Sequence, residues 1–312
     1  MAKLMRKMLL LAKIESPSGT DSTPTAAANA MLVSGMTPEL ITAEYVDRAN
    51  IKPYFGANSK LAAGIHRAIT FEMEIAGAGT AGGTPAWDPL IRACAFAGSV
   101  NAGSPGEKHY RPISDSLESC TIYSYLDGIR WKMTACVGTV SLNFTSKGIP
   151  KFTFNMIGEY YAGADVALPS DADYSDFIAP VTVGKVWTPT FSIHGNSACL
   201  SSLQIDMANN AIYRDLVGCG GPLITDRQPT GTAVFELPSI ATYAWDEAIK
   251  NSTTGPMNFV HGRVAGNIVQ IYCPKVSCNS AAIQDQDGVA MLSVGLSLEP
   301  NTGNDEIEIT LS

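Results

Sequence analysis

The stretch that most suggests chemistry is Gly77-Ala-Gly79-Thr-Ala-Gly82, a formal GxGxxG. In a dinucleotide fold such a loop opens a helix directly, so that backbone N–H groups face a pyrophosphate. Here further residues, Pro85 among them, intervene before Trp87, and no alternation of strand and helix follows. The corresponding connector later in the chain, Pro238 to Ala244, contains no glycine. The loop therefore reads as a flexible strand-to-helix connector. His66, His109, His194 and His261 are widely spaced and supply no close metal-binding pair. No serine stands in GxSxG, the local signature of a nucleophile elbow. Asp171, Asp173 and Asp176 suggest a calcium loop, but Asp176 occupies the place where the sharp turn needs Gly, and no terminal Glu follows. Asp285-Gln-Asp287-Gly288 reads as a turn before a strand. Trp87 and Trp245 read as core anchors rather than ligand platforms. The expectation is a protein that is not an enzyme, with no catalytic residue, no cofactor-binding residue, no metal site and no cofactor.

The seven cysteines, Cys94, Cys120, Cys136, Cys199, Cys219, Cys273 and Cys278, include no CxxC pair. Several sit in apolar runs, which points to buried, reduced thiols made in a reducing cytoplasm. The start, MAKLMRKMLLLAKIE, has a basic front, but its apolar run Met8 to Ala12 is short for a signal peptide and is closed by Lys13. It reads as an N-terminal strand or arm.

The elements that would carry these residues are mostly strands. Ile69, Phe71, Met73 and Ile75 alternate with Thr70, Glu72 and Glu74, the period of a half-buried strand. Val140, Leu142 and Phe144 alternate likewise, as do Phe152, Phe154 and Met156. Cys120 to Leu126, then Asp127-Gly128, then Ile129 to Met133 predicts a hairpin, because Asp and Gly tolerate the positive φ of a type I′ turn. Ile307, Ile309 and Leu311 against Glu306, Glu308 and Thr310 predict a half-buried strand with one acidic face. Helical spacing is scarce: one case runs from Trp87 to Phe96 and a weaker one over 245–250. The fold class expected is all-β, with about one short helix per half.

Length and composition bound the rest. The chain has 312 residues, 46% of them hydrophobic, enough for a large core and a prior of about two domains. Only 16% are charged, below the usual quarter or so, with 21 basic against 29 acidic and a net charge of −8. Such a chain is poorly suited to gripping DNA through its phosphates. It has no apolar run of membrane-spanning length. A charge-poor surface fits one largely covered by copies of itself, or an ordinary neutral β-protein.

Landmarks recur in matching order. The first half has Val46-Asp47-Arg48, the strand 69–73, Trp87-Asp88, Gly128 ahead of a strand ending at Cys136, and Gly148-Ile149 ahead of Phe152. The second has Ile212-Tyr213-Arg214, the strand 233–237, Trp245-Asp246, Gly266 ahead of a strand ending at Cys273, and Gly288-Val289 ahead of Leu292. The offset drifts, as loop insertions and deletions would make it. We expect two tandem domains by internal duplication: 1–162 with an N-terminal arm, a linker over 163–186 rich in Ala, Asp and Pro, and 187–312.

Several long stretches carry a resemblance. LLLAKIESPSGTDSTPTAAANAMLV, TFEMEIAGAGTAGGTPAWDPLIRACAF, SCTIYSYLDGIRWKM and KGIPKFTFNMIGEY in the first half are joined in the second by LITDRQPTGTAVFELP, MNFVHGRVAGNIVQIYCPKV and DGVAMLSVGLSLEPNTGNDEIEITL. Together they resemble the major tail tube proteins of phages with long, non-contractile tails. The resemblance covers nearly the whole chain and is least clear over 165–190. It implies β-sandwich or barrel-like domains with a flanking helix, in rings that stack into a hollow tube. It carries over no catalytic residue. It implies a structural protein of the virion tail, assembled in the bacterial host cytoplasm, through whose lumen the tape measure protein and DNA pass without specific binding. Tail terminator and distal tail proteins would meet its ends, and no membrane is involved. Many members have one such domain and form sixfold rings; with two domains per chain, a ring of three chains with pseudo-sixfold symmetry is expected. An acidic lumen and ring-to-ring contacts by the N-terminal arm are further expectations. The alternative is a carbohydrate-binding or adhesive β-sandwich, for which Tyr160, Tyr161 and Trp187 would be the candidate aromatics.

Overall fold

The chain is a nearly all-β protein in a computed structural model that describes residues 2–101 and 106–312. In chain order the first elements are β1 (Met8–Ile14), α1 (Ala26–Asn29), β2 (Ala30–Met31), β3 (Ser34–Pro38), β4 (Thr42–Asp47), β5 (Lys60–Glu74), α2 (Asp88–Arg92), β6 (Phe96–Asn101) and β7 (Glu107–Pro112). Then come β8 (Cys120–Leu126), β9 (Ile129–Thr145), β10 (Lys151–Tyr160), β11 (Ala164–Asp165), β12 (Thr190–Ile193), β13 (Asn196–Ser197) and β14 (Leu200–Asp206). The chain ends with β15 (Asn209–Leu216), β16 (Cys219–Arg227), β17 (Thr230–Glu236), α3 (Trp245–Lys250), β18 (Thr254–His261), β19 (Val269–Gln286), β20 (Val289–Leu298) and β21 (Glu308–Leu311).

Pairing follows one order twice. Antiparallel neighbours run β3–β5–β10–β9–β8–β1–β2 in the first part of the chain. They run β14–β17–β20–β19–β18–β12–β13 in the second. β11 sits beside β9 where β21 sits beside β19. The two runs are one sheet because β14 also pairs with β9. β21 carries the sheet on to β7 and β6. The hairpin β15–β16 forms a separate two-stranded sheet.

Alternation fixes which face is buried. Ile69, Phe71 and Met73 on β5, Phe152, Phe154 and Met156 on β10, and Val140, Leu142 and Phe144 on β9 are all essentially inaccessible. So are Leu203 and Ile205 on β14, Ala233 and Phe235 on β17, and Val294 and Leu296 on β20. Strands distant in the ladder meet across this core: Phe191 of β12 packs on Phe235 of β17, with ring centroids 6.1 Å apart. That is the packing of a β-sandwich. One large apolar cluster runs through both parts of the chain, and Phe144 of β9 meets Phe259 of β18 in it with ring centroids 4.5 Å apart.

Two turns match the sequence expectation. Asp127 and Gly128 (φ 40 and 89) close β8–β9, and Asp287 and Gly288 (φ 56 and 82) close β19–β20. Trp87 and Trp245 are buried, and Trp87 Nε1 donates to Ala76 O.

Other expectations need correction. The helix expected over Trp87–Phe96 spans only Asp88–Arg92, because Ala95 takes a left-handed φ of 64 and Phe96 already begins β6. α1 is an additional four-residue helix. Of the two readings of the N-terminus the strand holds and the arm does not beyond the first few residues: Leu9 to Ala12 are buried in β1, paired along β8. The C-terminal strand has no free acidic face. β21 lies between β19 and β7, Glu308 accepts from Arg111 Nη2 at 3.0 Å and meets His109 Nδ1 at 2.7 Å, and nearly buried Glu306 pairs with Arg227 at 3.0 Å. Five cysteines are buried, but Cys199 and Cys219 are exposed; all seven are free.

Candidate assembly surfaces

The residues that first suggested chemistry lie apart. Among the described residues no group of three or more His, Cys, Asp and Glu is placed to hold a metal ion. Asp173 accepts from the backbone N–H of Ser175, an Asx turn in an irregular stretch. His194 and His261 are structural. Each has Nε2 facing a carbonyl that can only accept, Val276 O at 2.9 Å and Val181 O at 3.1 Å, so Nε2 carries the proton. Their Nδ1 atoms accept from Tyr243 Oη and Thr188 Oγ1. Burial, opposed by these carbonyl bonds, holds both imidazoles below their ordinary pKa.

The glycine loop touches the other part of the chain instead of a phosphate. Gly79 N donates to Gly266 O at 2.9 Å, and Gly77 N to Asn267 Oδ1 at 2.9 Å. A Cβ on Gly77 would lie 2.1 Å from Gly266 O. Gly77 and, on the facing segment, Gly266 have to be glycine for this backbone-to-backbone approach.

The long strands β9 and β19 hold the features that matter for assembly. β9 gives the outer edge of residues 129–136 to β8, then the outer edge of 141–145 to β14. Near the end of the part that faces β8 lies a bulge at Ala135, held in a left-handed φ of 50. The buried carboxylate of Glu15 fixes this bulge: it accepts from Ala135 N, Thr121 Oγ1, Ser119 Oγ and Gly19 N. β19 gives the edge of its first part to β18 in the same way. Its second part, from Asn279 to Gln286, has β20 on one edge and no strand on the other among the described residues. At the opposite end of the ladder, β3 pairs with β5 on one edge only.

The side of the sheet facing away from the core is polar. It carries Glu72 and Glu74 on β5, Asp206 on β14 and Glu236 on β17. Lys151 on β10 is bound to Glu72 at 2.7 Å. Between them lie Thr70, Asn155, Thr153 and Asn143, joined by side-chain hydrogen bonds across strands.

Among the described residues this all-β sandwich thus leaves one edge unpaired at each end of its ladder, on β3 and on the second part of β19, and carries a polar sheet face away from the core. Its sequence matches the phage tail tube protein family over residues 6–312. The chain belongs to that family. This tail tube protein is accordingly a structural component of the virion tail, and self-association into a tube is its role. No curated protein matches the sequence.

Sequence reasoning found β5, β8, β9, β10, β17, β20, β21, the first part of β19 and both longer helices of this tail tube protein, but made no strand of β3, β6, β7, β12, β14 or β18 and missed the hairpin β15–β16. That hairpin packs on β5, β9 and β10 of the first part. His66 stacks on Tyr213 at 5.0 Å, Gly64 N donates to Asp215 Oδ2, and buried Asn209 Nδ2 donates to Cys94 O and Gly138 O. Its signal was the Val217-Gly218 turn between alternating residues. Of the aromatics a glycan site would need, Tyr160 has Arg67 over one face and Tyr161 has Lys132, while Trp187 is half-buried.

Proposed function

We propose that three chains close a ring, that rings stack into the hollow tail tube, and that this tube conducts DNA into the host. In this reading the chain is a tandem duplication, with domains over 1–162 and 187–312 and a linker over 163–186. Each domain supplies one of six equivalent positions in the ring. The observation that carries the reading is the strand order, the same in both parts, with the parts joined through β14 on β9. A chain that already joins two such units and leaves one edge open at each end can continue that joint into a closed ring.

The polar sheet face would line the lumen. Its carboxylates repel phosphate, and their field fades within about 8 Å at physiological salt, so DNA is kept off the wall without being held at a distance. Tape measure protein would occupy the same space before ejection. Terminator and distal tail proteins would cap the two ends, and assembly would take place in the host cytoplasm. No step requires catalysis.

Negative-stain electron microscopy of the chain expressed alone tests this. Rings or tubes of uniform width are expected. Monodisperse monomers at high concentration would overturn the reading.

A further inference from the structure

The joint inside the chain specifies the joint between chains. At the internal joint Ile205 of β14 lies opposite Leu142 of β9, and Gln204 opposite Asn143. The registers on both sides trace which residues occupy the same places at the ends. On β14's other edge Ile205 faces Gly231, which faces Leu296, which faces Cys278. In the first part Pro38 of β3 faces Ile69, which faces Met156, which faces Gly138. The bulge fixes the offset between the parts: Cys120 opposite Cys136 and Ile122 opposite Met133 recur as Gly255 opposite Val276 and Met257 opposite Cys273, so Cys278 stands where Gly138 stands and Pro38 where Ile205 stands, with Ile69 at the place of Gly231. Continuing along the hairpins, Phe152 faces Leu142 and Leu292 faces Ile283, so Ile283 occupies the place of Leu142.

The amide directions agree. Met207 N donates to Val140 O, so Ile205, two residues before it on the strand, also points its N–H at β9. Glu39 N donates to Ala68 O, so the amide position of Pro38 points to the open edge. Burial differs where it should. Leu142 is fully buried beside β14, whereas Ile283, with β20 on one edge and no strand on the other among the described residues, is 70% exposed.

We propose that β3 of one chain pairs antiparallel with the second half of β19 of the next, with Pro38 opposite Ile283 and Thr37 opposite Gln284. The partner is a second copy of this chain, and the inference rests on the ring reading above. The same placement carries hairpin β4–β5 onto β17, β19 and β20 of that neighbour, as β15–β16 lies on β5, β9 and β10 within the chain. It would cover Tyr45, Val46 and Leu61, each more than half exposed. Pro38 has no N–H, so this joint lacks one ladder bond that Ile205 supplies internally. A proline at an open edge also discourages pairing with other strands.

Gln204 and Asn143 form a narrow pair without mutual hydrogen bonds, as the alternation requires, with Cα atoms of such pairs about 4.5 Å apart and within disulfide range. Thr37 and Gln284 inherit that geometry. The test uses the full chain with Cys199→Ser and Cys219→Ser, carrying Thr37→Cys and Gln284→Cys, assembled and then mildly oxidised. Denaturing, non-reducing electrophoresis is expected to show covalent dimer and trimer, with most of the chain shifted. The pair Gln204→Cys and Asn143→Cys should close within one chain and serves as the internal standard. Rings or tubes that yield only monomer, while the standard closes, overturn the strand pairing and leave the ring reading standing. A ladder running past trimer supports the pairing and contradicts three chains per ring. Absence of any assembly overturns both.

Discussion

The edge of β9 and the edge of β19 begin alike and end differently. Both are long strands that take a neighbouring strand along their first part, β8 or β18, and a hairpin partner on the other side. On β9 the second part is covered by β14, and Leu142 and Phe144 are fully buried. On β19 the second part is bare, and every residue from Asn279 to Ala290 is exposed. Side-chain chemistry follows the difference. The covered edge presents Leu142 and Phe144, whereas the matching places on the bare edge hold Ile283 and Asp285. A permanent joint can bury apolar residues on its core face, as Leu142 and Phe144 are, while an edge that must stay soluble before assembly needs polar residues around its apolar contact.

Phe144→Ala should have the largest effect, because it removes the ring that binds the two parts through Phe259. A loss of about 3–5 kcal/mol in unfolding free energy is expected by denaturant titration. An effect below about 1 kcal/mol would mean that the internal joint is not part of the core. Glu15→Ala should follow, at about 1–3 kcal/mol, since it removes the acceptor of the part-buried N–H of Ala135 at the bulge near the end of β9's pairing with β8. Glu15→Gln should recover part of this, and equal losses in both variants would contradict the capping role.

Acidification sharpens the comparison between the two parts. His194 and His261 both lie in the second, with pKa values held below the ordinary 6.5. The unfolded chain therefore binds protons first as pH falls through 6.5, and stability drops from there until the folded-state pKa values are passed. Hydrogen exchange at pH 7 and pH 5 should show β12, β18 and β19 losing protection at the lower pH. Unchanged protection in those strands would contradict the assignment of both rings as neutral Nε2–H donors.

The smallest expected effect on the unassembled chain is that of Ile283→Ala. Folding stability should change by no more than about 0.5 kcal/mol, as for an exposed site. Tube assembly followed by light scattering should nevertheless slow markedly. Slowing in proportion to lost stability would remove the distinction between the two edges.

Much of this was legible in the sequence, and for physical reasons. Alternation at 69–75, 140–144 and 152–156 marks buried faces because a strand has a period of two. Asp127-Gly128 marks a hairpin because few other residues accept the turn's positive φ. Partnership was not legible. Nothing local to Ile283 or Leu142 says that one edge is covered and the other bare, since the covering strand comes from far along the chain. The bulge at Ala135 depends on Glu15, whose carboxylate arrives from β1's end. The glycines of Gly77 to Gly82 were conspicuous, but the reason for them at Gly77, a backbone approach to Gly266, appears only in three dimensions. The pattern at 306–311 gave a half-buried strand with one acidic face, and the sequence hides that Arg227, His109 and Arg111 converge on that face.

The mass of an isolated ring tests the central claim most directly, that each chain fills two positions. Native mass spectrometry of rings released from short tubes should give three times the 33.0 kDa chain mass. Six times that mass would contradict the account: each chain would then fill one position, and the shared strand order of its two parts would have no role in closing the ring.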